Sequence, residues 1–248
     1  VAQERIFLAG AAGAIGARLT PLLVKAGYAV FGTTRDARKA ASIEANGAMP
    51  VIVDVFDADA LRAEVAKVQP DAVVHQLTDL PPGLDKARMA EAVVRNAAIR
   101  VKGTRNLVNA ALEAGCHRMI SQSIAWFYAQ GAVPFAETAP LDLDPQAPSA
   151  MSVGGVVALE EFTLQTPDLR GTVLRYGHFY GPGTGFDAPP ATPRVHVDAA
   201  AHAVLLALQF DSEGVFNIAE PEGDVDTTKA REQLGWRASF RLADASLA

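Results

Sequence analysis

IFLAGAAGAIGARL, residues 6–19, sets a short apolar run against three glycines spaced by three, Gly10, Gly13 and Gly16. Ile6 to Ala9 read as a strand; Ile15, Leu19, Leu22, Leu23 and Ala26 then recur at helical spacing, and Gly27 marks the stop. In that order each glycine has a job. The first permits a tight turn, the second lets the backbone approach a pyrophosphate, and the third lets helix and strand pack closely. The free N–H groups and dipole at the helix start then favour an anion. The candidate cofactor-binding residues here are Gly10, Ala12, Gly13, Ile15 and Gly16. No Gly-Lys-Ser/Thr ending follows, which excludes a P-loop. Taken alone, the spacing also fits a glycine-rich turn that merely packs tightly. Pro21, inside the helix, predicts a mild kink or a lost hydrogen bond.

Beyond this unit, apolar runs alternate with helical patterns, as in βαβ units around a parallel sheet. Strands are expected at 28–34, 49–55, 71–77, 118–123, 171–177 and 214–219. Helices are expected at about 58–68, 87–114, 151–165, 197–209 and 227–234, with loops at 81–83, 129–150 and 181–194. The fold class is therefore α/β, a Rossmann-type doubly wound parallel sheet with a small C-terminal lobe. No linker divides it: residues 1–248 read as one dinucleotide-binding domain, to which about 178–248 contribute a reduced substrate lobe.

Of the 248 residues, half are hydrophobic and a fifth charged, an ordinary globular balance. A formal charge of −6 without a dense Lys/Arg block argues against nucleic acid as a partner. The single cysteine, Cys116, forms no internal disulfide, which fits a reducing, cytoplasmic setting. Neither a signal-like N-terminus nor an apolar run of about 18 residues occurs, so no membrane association is expected. No His, Cys and carboxylate cluster has metal-ligand spacing, and no Gly-x-Ser-x-Gly elbow supports a serine hydrolase.

The second strand ends FGTTRDARK, residues 31–39. An acidic residue there would bind the ribose 2′-hydroxyl of NAD. Here Arg35 comes first, and an arginine makes charge-assisted bonds to a 2′-phosphate. Thr34 and Arg35 therefore point to NADP, while Asp36 keeps NAD open.

Seven segments in order resemble the extended and atypical branch of the short-chain dehydrogenase/reductase superfamily, the NAD(P)-dependent epimerase/dehydratase group. They are GAAGAIG, VDVFD (53–57), VVHQLTD (73–79), VKGTRNLVNAALEAG (101–115), ISQSIAWFYAQG (120–131), LRYGHFYGPGTG (174–185) and VHVDAAAHAVLLAL (195–208). DTTKAREQLGW (226–236) resembles the family's C-terminal helix. The resemblance implies that Asp54 and Val55 lie at the adenine and that Gln76 and Leu77 line the cofactor. It likewise places Ser121, Tyr176, Gly177 and His178 near the nicotinamide. The other histidines, His75, His117, His196 and His202, read as structural or surface residues.

The family's chemistry uses a Tyr-x-x-x-Lys pair, in which the lysine lowers the tyrosine pKa for proton exchange. The matching helix here reads SAMSVGGVVALEEF (149–162), with Ser152 and Val156 in those places. No tyrosine is followed four residues later by a lysine, and Arg100 replaces the family's helix asparagine. Ser123, on the serine-bearing strand end, and Tyr128, five residues on, are the catalytic candidates that remain. Only a dozen residues separate Gly183 from His196, which suits a small-molecule substrate, or none. The expectation is an NAD(P)-dependent oxidoreductase or epimerase-like enzyme acting by hydride transfer on a small hydroxy or carbonyl compound, with a non-standard acid/base. The alternative is a non-catalytic NAD(P)-binding, redox-sensing regulator. A homodimer through the 87–114 and 151–165 helices is expected by analogy with the family.

Overall fold

A computed structural model describes residues 3–242 of the chain. The first half runs β1 (Arg5–Ala9), α1 (Ala14–Lys25), β2 (Ala29–Thr34), α2 (Ala40–Ala45), β3 (Met49–Ile52), α3 (Ala58–Val68) and β4 (Ala72–His75). It continues with α4 (Met89–Ala98), a π-helical turn over Ile99–Gly103, α5 (Thr104–Glu113), β5 (Arg118–Ile124), α6 (Ala150–Leu164) and β6 (Arg170–Tyr176). The last part comprises β7 (His178–Tyr180), β8 (Arg194–His196), α7 (Val197–Gln209), β9 (Gly214–Ile218) and α8 (Thr228–Leu234).

Seven strands form one parallel sheet in the order β3-β2-β1-β4-β5-β6-β9. The chain winds outward from β1 to β3, then returns past β1 to lay down β4 on its other side. That reversal opens a crevice beyond the carboxyl ends of β1 and β4, where such sheets bind ligands.

Side-chain alternation divides the core into two layers. Ile6 and Leu8 face α1, α7 and α8, whereas Phe7 and Ala9 face α3 and α5. The periodic residues Ile15, Leu19, Leu22 and Leu23 are buried, and each such side chain contributes about 1.5–3 kcal/mol of transfer free energy. Pro21 remains inside α1, so the loss there is the single N–H it cannot offer. The alanines of α7 allow close approach to α1, and Arg18 pairs with Asp198 across that contact at 2.6 Å.

Three details differ from the periodicity. The expected 87–114 helix is divided into α4 and α5 by the π-helical turn, a single-turn insertion too short to be read from apolar spacing. The third strand ends at Ile52, which puts Asp54 and Val55 in the connection after it. The short α2 and the two-stranded parallel pair β7–β8 were not expected, since three to six residues carry too little periodicity to read. Among the described residues no helix is long and apolar enough to cross a membrane.

Candidate functional site

A cleft of about 730 Å³ lies over the carboxyl ends of the central strands. Its floor begins at the glycine loop. Gly10 has φ +94°, and a Cβ there would stand 2.7 Å from the Gln76 carbonyl oxygen. At Gly16 a Cβ would meet the Gly10 oxygen at 2.2 Å, so this glycine serves packing of helix on loop. Gly13 is exposed and caps α1 without a side-chain hydrogen bond, and no acid occupies the first turn. The helix start therefore presents its N–H groups and positive dipole end to the cleft.

At the β2 end, Thr34, Arg35 and Lys39 line the cleft. Arg35 is more than half exposed and reaches Asp79 at 3.1 Å. Asp36 is turned away from this wall. Its carboxylate takes Arg38 Nε and Nη2 at 2.9 Å each and also accepts from the Arg38 backbone N–H. Those Arg38 hydrogen bonds hold the Asp36 carboxyl below the ordinary carboxylate range. Asp54 accepts from Phe56 N–H at 2.9 Å, and the Val55 carbonyl accepts from Asn106 Nδ2 at 2.8 Å, which fixes this side of the wall.

At the inner end, burial drives the His75 pKa down to about 3. His75 Nδ1 accepts from Leu77 N–H at 3.2 Å, so Nε2 carries the proton toward Thr104 Oγ1 at 3.0 Å. Gln76 lines the cleft with both amide atoms buried and no hydrogen-bond partner. Its amide is near enough to the Tyr176 hydroxyl to favour that group's ionisation slightly, but not in hydrogen-bonding geometry. An orphaned buried amide is costly and calls for a ligand. With the open helix start and the glycine cradle, it fits a bound dinucleotide.

Eleven of the residues expected from the sequence to bind cofactor stand on this wall: Gly10, Ala12, Gly13, Ile15, Thr34, Arg35, Asp54, Val55, Gln76, Leu77 and His178. Four others do not. Gly16 packs beneath the loop; Ser121 accepts from Thr163 Oγ1 at 2.8 Å inside the core. Tyr176 is fully buried, donates to the Ala200 carbonyl at 3.3 Å, and is held protonated by desolvation. Gly177 lies against the Arg194 backbone, where a Cβ would come within 2.7 Å.

The two catalytic candidates are not brought to the cleft either. Gln122 and Ile124 line it, and alternation along β5 turns Ser123 to the α6 side. Ser123 Oγ donates to Glu160 Oε1 at 2.7 Å, and Arg175 holds the same carboxylate through Nε at 2.8 Å and Nη2 at 2.6 Å. Arg175 Nη1 also donates to the Tyr128 hydroxyl at 3.0 Å, which donates to Asn217 Oδ1 at 2.6 Å. Burial raises the Tyr128 pKa above that of a free phenol. Ser123 and Tyr128 thus belong to a closed polar network behind the sheet.

Facing the cleft instead are Trp126, Phe127, Ser152 and Arg100, together with His178. Trp126 stacks on His178 with ring centroids 4.0 Å apart. Desolvation lowers the His178 pKa, so its imidazole is neutral at pH 7. Ser152 and Arg100 left a trace in the sequence, as residues standing where the resemblance would put a tyrosine and an asparagine. Trp126 left none, because an aromatic after a strand is usually core.

A family model described as the NAD dependent epimerase/dehydratase family matches residues 6–195. A 3-diazoavenalumate denitrifying reductase from a Streptomyces species is 35% identical over 238 residues, which cover 88% of this chain and 76% of that protein. Among solved structures, the NAD complex of a Thermus thermophilus UDP-glucose 4-epimerase superposes with a TM-score of 0.76 at 20% identity, covering 96% of this chain and 94% of that one. A Streptomyces venezuelae dTDP-glucose 4,6-dehydratase with NAD bound superposes with a TM-score of 0.75 at 19% identity, covering 97% and 94%. At those identities the structures establish the shared fold.

Proposed function

The chain belongs to the NAD dependent epimerase/dehydratase family and is an NAD(P)-dependent oxidoreductase or epimerase; from that premise we propose that it is an NADPH-dependent reductase of a small electrophilic compound. The observation that carries this reading is the cleft itself: a dinucleotide cradle is joined to an aromatic end formed by Trp126 stacked on His178.

Arg35 and Lys39 on the wall, with Asp36 bound to Arg38, favour a 2′-phosphate over a 2′-hydroxyl. The bound nicotinamide supplies a hydride. The α1 start holds the pyrophosphate, Gln76 offers an amide to the ligand, and Trp126 and His178 give a flat apolar surface. Tyr128 is engaged by Arg175 and Asn217, Tyr176 is buried against α7, and desolvation favours the neutral form of His178, so the proton that balances the hydride comes from water. Carbonyl compounds and other hydride acceptors fall in this class. The relative named as a denitrifying reductase favours the enzyme over the redox-sensing regulator.

The reading extends to a homodimer through α4, α5 and α6, supported by exposed Val94 and Met151 on these elements, to a single domain with its C-terminal lobe, and to a cytoplasmic setting that keeps the buried Cys116 reduced. Titration with NADPH and NADH, followed by carbonyl panels monitored at the nicotinamide absorbance, tests it. NADPH should bind more tightly and be consumed. Binding without turnover across broad panels would return the regulator to favour, and failure to bind either dinucleotide would end both readings.

A further inference from the structure

The cleft contains a guanidinium that no carboxylate among the described residues meets. Arg100 lies in the π-helical turn at 99–103 and passes over Gly155 of α6, where a Cβ would come within 3.4 Å of its Cδ. It lines the cleft with Ser152, Trp126, Phe127 and His178. Among the described residues its one hydrogen bond runs from Nη1 to the Ser152 carbonyl at 3.4 Å, and none of the ion pairs includes it.

A largely buried cation without a counter-charge is costly. Desolvation pulls the Arg100 pKa down only to about 10, so the charge persists at pH 7. His75, whose pKa the Arg100 charge helps to lower, stays neutral and offers no compensation. The energetic deficit is removed if an anion enters the cleft. The dinucleotide phosphates already have their own seats at the α1 start and at Arg35 and Lys39. The same cleft carries an aromatic and apolar surface, with Trp126 stacked on His178, and Phe127, Met89 and Val93 also in its lining.

We propose that Arg100 binds the carboxylate of a substrate whose flat apolar body packs against the Trp126–His178 stack. The planar guanidinium fork matches a carboxylate in two-point contact. This makes Arg100 a specificity-determining residue, in the place where the family's asparagine would stand. It deepens the reductase reading and rests on it for the role of the cleft as substrate site.

Isothermal titration of the NADPH-loaded protein with 3-phenylpropenoate and with its uncharged amide tests the inference. The acid should bind at least about tenfold more tightly than the amide, and Arg100→Gln should abolish that preference while leaving NADPH affinity within about twofold. Arg100→Lys, which keeps the charge but not the fork, should restore part of it. Equal binding of acid and amide, no binding of the acid, or unchanged acid binding in Arg100→Gln would overturn the assignment. So would a loss of NADPH affinity in Arg100→Gln as large as the loss of acid binding, since that would place Arg100 at the cofactor. Titrating NADPH and NADH alone, and the acid in their absence, separates the two readings: preference for the acid in a protein that binds no dinucleotide would end the reductase reading and keep this one.

Discussion

Arg175 and Glu160 meet fork to fork behind the sheet, Nε on Oε1 at 2.8 Å and Nη2 on Oε2 at 2.6 Å, both side chains almost fully buried. β6 places the arginine and α6 the glutamate, so the pair ties helix to sheet beneath the cleft. Ser123 and Tyr128 complete its hydrogen bonding.

Breaking this pair on one side leaves a buried charge unmatched, which costs about 3–5 kcal/mol. Glu160→Gln should lower the melting temperature by roughly 10 °C for a chain of this size. Calorimetry checks it. Ser123→Ala removes one donor from a carboxylate that Arg175 still holds, so NADPH binding and turnover should remain within about twofold at a stability loss of about 1 kcal/mol. A loss of turnover by orders of magnitude with the fold intact would restore Ser123 to the chemistry.

Gly13 separates folding from binding. It is exposed, and a Cβ there meets only the Gly10 oxygen, at 3.3 Å. Gly13→Asp places a favourable capping carboxylate at the α1 start, so stability should hold or rise by a few tenths of a kcal/mol. The same carboxylate fills and repels the pyrophosphate seat. NADPH affinity should fall by roughly a hundredfold or more, equivalent to at least about 2.7 kcal/mol. Unchanged affinity would remove the helix start from the cofactor site.

Arg35→Ala should weaken NADPH by about tenfold or more while changing NADH by less than about twofold, because a charge-assisted bond contributes about 1.5–3 kcal/mol. Parallel fluorescence titrations of both dinucleotides read the difference. Equal losses would mean that Arg35 does not recognise the 2′-phosphate.

Acid should destabilise the protein through His75. Its folded pKa of about 3 lies below the ordinary value of 6.5, so between those values the unfolded chain binds a proton that the folded one refuses. Stability is therefore complete above about pH 6.5 and declines as pH falls, by about 1.4 kcal/mol per unit at most from this group. His202, lowered to about 4 by burial, adds in the same direction. Denaturant melts of wild type and His75→Gln between pH 5 and 7 should show a shallower slope for the variant.

The amino-acid pattern by itself determined the α/β sheet, the order of its main elements and the dinucleotide cradle, since these depend on local period and on glycine's missing Cβ. Gly10, Gly13 and Gly16 already had distinct jobs in IFLAGAAGAIGARL, and the structure gives Gly10 its turn and Gly16 its packing. The amino-acid pattern also shows that no tyrosine is followed four residues later by a lysine, because absence at a fixed spacing is legible. Which side chains reach the cleft was decided only in three dimensions. One step of alternation along β5 sends Ser123 into a buried ion pair and leaves Gln122 and Ile124 at the cleft. A single π-helical turn, nearly invisible to apolar periodicity, carries Arg100, and Gly155 on a helix fifty residues later makes room beside its side chain. Burial and electrostatic partnership depend on what distant segments bring to the same place, and no local window contains that information.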